Sequence, residues 1–446
     1  MQTISTSASL SCAFLITSIL SAGAGLFTGR KANNTAFSLL AAGLGVLILL
    51  SAVFGWGAVT AFEAQPPWML GAYSFHFRMD FLSSLFLALL GTCLIPVSIY
   101  SSAYLSHLRE KINCGFYWSA FFLFVVSVAF VFLSADCISF LVFWETMSLS
   151  SLALVASDIK QKNAQKASLI YFGATRVATA FLSAGFLWMH SLNHSWNFAD
   201  WSFSTPATYV PAFLIMIGFC IKAGIFPFHI WMPYAYPEAP SPSAALMSGV
   251  MSKTAVYGII RVLMVGNLDC AALSYTLLVL GGISTFWGLL FALVQQDLKR
   301  LLAYSSVENI GIIFMSLAFS LIAKGAGMTD IACLALIAAI FHSINHGLFK
   351  SLLFLCAGGI EVSARTRDLR EMGGLGKRMP WTMACFTTAA LAACALPPLN
   401  GFASKWFLYQ GFLHASWESL SLIDRTLAFV CFGVLSFALG LSLACF

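Results

Sequence analysis

Runs of about twenty apolar residues, long enough to carry an α-helix through a bilayer core, recur about thirteen times along this chain. Nothing else in the sequence limits the fold as strongly. In lipid every backbone N–H and C=O must find its partner within the protein, so such runs fold as helices. The spans are 8–28, 36–61, 81–103, 116–134, 137–156, 166–189, 208–232 with a break, 241–265, 272–295, 302–323, 329–359, 380–413 with a break, and 425–446. The expected fold is an all-α polytopic membrane protein surrounded by a lipid bilayer. Composition agrees, with 60% apolar and 9% charged residues, where soluble proteins average about 25% charged. The formal charge of +6 is no nucleic-acid signature, because the basic residues sit in short loops between apolar runs.

The first run has no basic segment before it, and Arg30–Lys31 follow it instead, so it reads as a retained helix and not as a signal peptide. Loops after odd-numbered spans hold fourteen Lys/Arg, loops and ends after even-numbered spans (Arg261 among them) hold four, and five more lie inside spans. The positive-inside rule places the odd loops in the cytoplasm and the N-terminus outside. For a bacterial inner-membrane protein this means a periplasmic N-terminus, a periplasmic 190–206 loop and a cytoplasmic Arg365–Arg378 loop. Twelve cysteines are scattered, mostly within apolar runs and without a CxxC pair, and read as buried, unreactive thiols. GGLGKR at 373–378 lacks the first glycine and the Ser/Thr of a P-loop. The sequence points to no cofactor and no metal.

The charged groups inside the spans point to function, since each costs roughly 3 kcal/mol or more at bilayer depth. The stretch Gly218–Arg261 carries Lys222 in the middle of an apolar segment, a break at Gly224 and Pro227, a Pro-rich bend (Pro233, Pro237, Pro240, Pro242), and Lys253 in the middle of a second segment. Irregular backbone at that depth is tolerated only where protein buries it or water lines it. Snorkelling is the bland reading of both lysines, and their mid-span positions argue against it. Glu145, half-way along the fifth span, is either a carboxylate satisfied by nearby backbone or a proton-path group. Arg176 is either its static counter-ion or a switching partner. His342, His346 and Lys350, at i, i+4 and i+8, share one helix face. Two such histidines can ligate a metal, but no HExxH and no acidic third ligand accompanies them in that span. A hydrated ladder of proton acceptors fits better, because neutral imidazole takes and passes a proton near pH 7. A second break, Leu396-Pro397-Pro398-Leu399-Asn400-Gly401, has Lys405 close by. Glu308 completes the set, with an ion pair at the membrane interface near Asp297–Arg300 as its bland reading. Broken segments in both halves point to inverted repeats with an ion site between them.

The blocks KAGIFPFHIWMP, PEAPSPSAALMSGVMSKTAVYGIIR, DLKRLLAYSSVENIGII, HSINHGLFKSLLFLCAG and LPPLNGFASKW resemble, in order, the antiporter-like membrane subunits of respiratory complex I, the Mrp sodium/proton antiporters and the membrane-bound hydrogenases. SSVENIG, GGLGKRMP and PPLNGF look most like the hydrogenase-4 and formate hydrogenlyase branch. The resemblance implies a core of fourteen helices, with two inverted five-helix units at spans 4–8 and 9–13. It implies an N-terminal three-helix region (1–110), a first unit (111–265) and a second unit (266–446) that is cut short. Phe446 lies inside an apolar run, so a truncated product is expected. Glu145, Lys222 and Lys253 look like the family's span-five glutamate and central lysines. The histidine–lysine ladder looks like its connection between half-channels, and Lys405 occupies a position filled by lysine or glutamate. An aspartate found soon after Arg176 in part of the family is replaced by Thr179.

The function expected is proton translocation along Glu145, Lys222, Lys253, His346/His342/Lys350 and Lys405. Electron transfer in a hydrophilic hydrogenase or dehydrogenase arm, joined through other membrane subunits, would drive it. The chain itself would hold no redox centre. The alternatives are a complex I pumping subunit, an Mrp-type sodium/proton antiporter subunit, and a non-transporting membrane anchor of a hydrogenase. Burial disfavours a charged lysine and a carboxylate within about 4–6 Å favours it, so Glu145 is expected to control Lys222 while alternating between Lys222 and Arg176.

Overall fold

The computed structural model describes Thr17 and residues 20–29, 32–56, 62–64, 69–70, 73–415 and 420–445. The apolar runs fold as helices: α1 (Asn34–Trp56), α2 (Phe81–His107), α3 (Cys114–Leu133), α4 (Cys137–Val155) and α5 (Lys162–Asn193). A broken span follows as α6 (Tyr209–Ala223) and α7 (Trp231–Glu238), then α8 (Ser241–Met264). The second half holds α9 (Ala271–Leu293), α10 (Leu298–Gly325), α11 (Thr329–Ala364), the broken pair α12 (Pro380–Ala393) and α13 (Asn400–His414), and α14 (Leu422–Cys445). Eleven helical segments among the described residues are long and apolar enough to span a membrane. The expected first span lies partly outside the described residues. The half-helices α12 and α13 are each too short to span alone. The chain is a multi-pass membrane protein, and its only described strands form two short antiparallel pairs before α2.

Both breaks fall where the chain cannot continue a helix. Gly224 takes a left-handed turn (φ 76°) after α6, a conformation that suits glycine. The region expected to be a Pro-rich bend is helical instead over α7. Pro233 sits in the first turn of α7, where its missing N–H has no helical partner to lose. Lys222 consequently ends a half-helix beside the break, and is not mid-helix.

Helices α10 and α8 form the interior: the most apolar stretch of α10 is 100% buried and that of α8 94%, against 22% for α14. Glycines allow the tight packing. A Cβ on Gly288 of α9 would lie 2.6 Å from the Glu308 backbone nitrogen of α10, so only small residues permit this approach. The 36-residue α11 measures about 54 Å at 1.5 Å per residue. It packs on α2, α8, α10, α12 and α13 and so joins the two halves.

Loops segregate as the span count requires. The ends of α2, α4, α7 and α11 and the start of α10 surround a cleft of about 930 Å³ on the odd-loop face. There Arg367 donates to the Pro237 carbonyl (2.6 Å) and pairs with Glu238 (3.2 Å) and Asp297 (3.3 Å). Burial opposes its charge, but these carboxylates and Glu361 outweigh that and raise its pKa. Lys299, counted from sequence as a loop cation, is buried against Glu361 (2.7 Å). On the opposite face Asp80 is pulled below the usual carboxylate range: burial pushes upward, but hydrogen bonding and attraction from Arg261 prevail. Arg261, counted among the loops and ends after even-numbered spans, lies in the last turn of α8. The described cysteines are free and buried, except that Cys333 and Cys385 are exposed.

Candidate functional site

Hydroxyls and aromatic rings, not a carboxylate, surround Lys222. Its Nζ donates to Ser148 Oγ (2.9 Å) and Tyr171 OH (3.4 Å) and lies 5.5 Å from the Trp144 ring centre. Glu145 pairs with Arg176, so in this arrangement the carboxylate has taken the arginine and not Lys222. The pair is partly exposed, with side chains 26% and 34% accessible. Tyr171 continues to Ser151 Oγ (2.7 Å) and touches Met251 Sδ (3.5 Å). A thioether thus stands between the first station and the turn that carries Lys253.

Lys253 begins the second station. It follows a π-helical turn, Met247–Met251, a wide turn frequent at functional sites. Its Nζ donates to the Ser248 carbonyl (2.7 Å) and lies 2.5 Å from His346 Nδ1 on α11. Both residues are fully buried. The Lys253 ammonium and the His346 imidazole can therefore share one proton directly. The His342 ring follows at 6.4 Å from that of His346.

His342 is held for two protonation states. Its Nε2 lies 3.2 Å from Asn309 Oδ1 and its Nδ1 2.9 Å from Ser404 Oγ. Asn309 Nδ2 donates to the Ser305 carbonyl (2.8 Å) and to Glu308 (3.2 Å), which leaves Oδ1 to accept from Nε2–H. Neutral His342 then accepts the Ser404 hydroxyl proton at Nδ1. Imidazolium donates there instead, and Ser404 turns to the Gly401 carbonyl at 3.2 Å. Either proton count is accommodated without losing a contact.

This series of polar groups ends at Lys405, 3.7 Å from Glu308, with both side chains 2% exposed. Glu308 is thus a deep ion-pair partner and not an interfacial one. Lys350 bonds to Ser305 Oγ and to the Leu302 carbonyl (3.2 Å) on α10. A gap separates the His346 and His342 rings, where His346 Nε2 has no partner among the described residues. The structure therefore lines up two linked groups, Lys253–His346 and His342–Asn309–Glu308–Lys405, as one buried polar lane with Lys350 beside it. Glu145–Arg176 and Lys222 stand apart from it. Sequence reasoning missed Ser148, Tyr171, Asn309, Ser305 and Ser404. The hydroxyl-rich SLSS run after Glu145, and Asn309 directly after Glu308, were the available signals. Among the described residues no group of three His, Cys, Asp or Glu is placed to hold a metal.

The family described as NADH:quinone oxidoreductase/Mrp antiporter, TM, matches residues 134–431. The chain belongs to this family. Hydrogenase-4 component B of Escherichia coli (strain K12) is 37% identical over 383 residues, which cover 83% of this chain and 55% of that protein. The chain thus spans about half the length of that relative. NADH-quinone oxidoreductase subunit N of Desulforudis audaxviator (strain MP104C) is 31% identical, over 80% of this chain and 70% of its own. A chain of the Mrp complex from Dietzia sp. DQ12-45-1b has the same fold, with a TM-score of 0.82 at 23% identity, covering 100% of this chain and 79% of that one. The antiporter-like assignment made from the motif blocks agrees with all three.

Proposed function

We propose that this chain is the proton-translocating, antiporter-like membrane subunit of a hydrogenase-4 or formate hydrogenlyase-type complex in a bacterial inner membrane. It would couple electron transfer in a partner arm to proton movement. The observation that carries this reading is the buried lane from Lys253 to Lys405, in which amines, imidazoles and a carboxylate follow one another. Amines, imidazoles and swivelling hydroxyls suit a proton, whereas sodium would need several oxygen ligands together. The resemblance of SSVENIG, GGLGKRMP and PPLNGF, together with the 37% identity to hydrogenase-4 component B, supports this branch over the complex I and Mrp readings. The inverted five-helix arrangement remains part of the proposal, supported by the broken helices in both halves.

The test is membrane-potential generation in vesicles carrying the whole complex. Lys253→Ala should abolish it and leave electron transfer in the partner arm measurable. Potential generation at the wild-type level in that variant would remove the lane from the mechanism.

A further inference from the structure

A second cluster, which the lane does not use, ties the even-loop ends of three helices together. Asp80, the N-cap of α2, accepts from both terminal guanidinium nitrogens of Arg261 at 2.6 Å. Arg261 Nε donates to Tyr257 OH (3.0 Å) and Nη2 to Ser83 Oγ (3.1 Å), while Tyr257 donates to the Phe132 carbonyl of α3 (2.8 Å). Phe86 and Phe132 close on the Tyr257 ring at 5.6 and 5.3 Å, and all three are fully buried. Outside the ion pair, a cavity of about 100 Å³ lined by His76, Arg78, Ser134, Asn197 and Arg261 opens on the even-loop face. Inside it, Tyr257 lies one turn from Lys253 on the same helix face. Arg261 itself sits on a second π-helical turn, Ile259–Met264, so wide turns bracket the segment that carries Lys253 and Tyr257.

We propose that Asp80, Arg261 and Tyr257 form a seal that shuts Lys253 off from the even-loop face, so that protons leave this station only along α11 toward Lys405. This inference rests on the proton-conducting reading above. A bidentate, charge-assisted pair holds the arginine in place. The Tyr257 hydroxyl, held between Arg261, Ser83 and the Phe132 carbonyl, has no bonding capacity left for a water file. Without the carboxylate, a partly buried guanidinium draws in water to replace it.

The test is passive proton leak after an imposed pH step, in vesicles carrying the whole complex and no electron donor. Asp80→Asn suits it, because asparagine still caps α2 while the charge is gone. Leak should rise about tenfold or more, the factor that about 1.4 kcal/mol of barrier represents. The rise should vanish when Lys253→Ala is added. Tyr257→Phe, which keeps the ring packing, should give a smaller rise, and it decides the matter alone if Asp80→Asn does not assemble. No rise in either variant, in a complex whose energised pumping still needs Lys253, overturns the seal and leaves the conducting reading standing. Pumping that survives Lys253→Ala overturns that reading and the seal with it.

Discussion

Removing the charge of Glu308 separates what its pair with Lys405 does for stability from what it does for transport. At 3.7 Å two unit charges in a medium of effective dielectric about 20 attract by about 4 kcal/mol. Removing one partner of a buried pair costs roughly 3–5 kcal/mol, because the other charge is left unpaired. Glu308→Gln keeps an oxygen for Asn309 Nδ2 and alters little else, so this range is the expected loss. Each 1.4 kcal/mol is about a tenfold change in the folding equilibrium. Lys405→Met should cost a similar amount. The double variant, with no unpaired charge, should recover most of it. The assay is denaturant titration of the purified protein in detergent, carried through the full double-mutant cycle. Single losses that simply add, with coupling below about 0.5 kcal/mol, would refute the pair as an energetic unit. Pumping in the complex should fail in all three variants, because the double variant restores packing and not the titratable groups. A double variant that pumps would place Lys405 outside the lane.

Further expectations follow from the other clusters. Lys222→Arg should stop pumping with the site still charged, since a guanidinium does not release its proton near neutral pH; a rate matching wild type would sink that role. Glu145→Gln frees Arg176 from its partner and should change the pH profile of pumping, and an unchanged profile would return Glu145 to a structural role. Asp80 has a depressed folded-state pKa, so its stabilisation is fully present above its unfolded pKa of about 3.9 and is lost as pH falls through the lower folded value. The stability gap between wild type and Asp80→Asn should therefore hold constant from pH 7 to about 5 and close only below about 4; a gap that closes near pH 6 would contradict this. An impermeant thiol reagent applied from the periplasm should leave a cysteine placed in 365–378 unmodified, and modification there would invert the topology.

Hydrophobic run length is a local property, so the sequence by itself determined most of the described helices, with α7 in the Pro-rich region the exception. Expected boundaries such as 272–295 and 329–359 lie within a few residues of Ala271–Leu293 and Thr329–Ala364. It also determined that Glu145, Lys222, Lys253, His342, His346, Lys350 and Lys405 lie inside spans, and that the chain breaks beside Lys222 and before Lys405. Partner choice belonged to the tertiary structure. Glu145 meets Arg176 and not Lys222, and Glu308 reaches inward to Lys405, not outward to the interface, because helix rotation and crossing decide where a side chain points. The hydroxyl links were hidden for a further physical reason. A serine in an apolar helix ordinarily bonds back to its own turn, as Ser148 does to the Trp144 carbonyl at 2.9 Å. Its sequence position therefore does not reveal that the same oxygen also accepts from Lys222. Only the packing of α4 against α6 brings that lysine within reach.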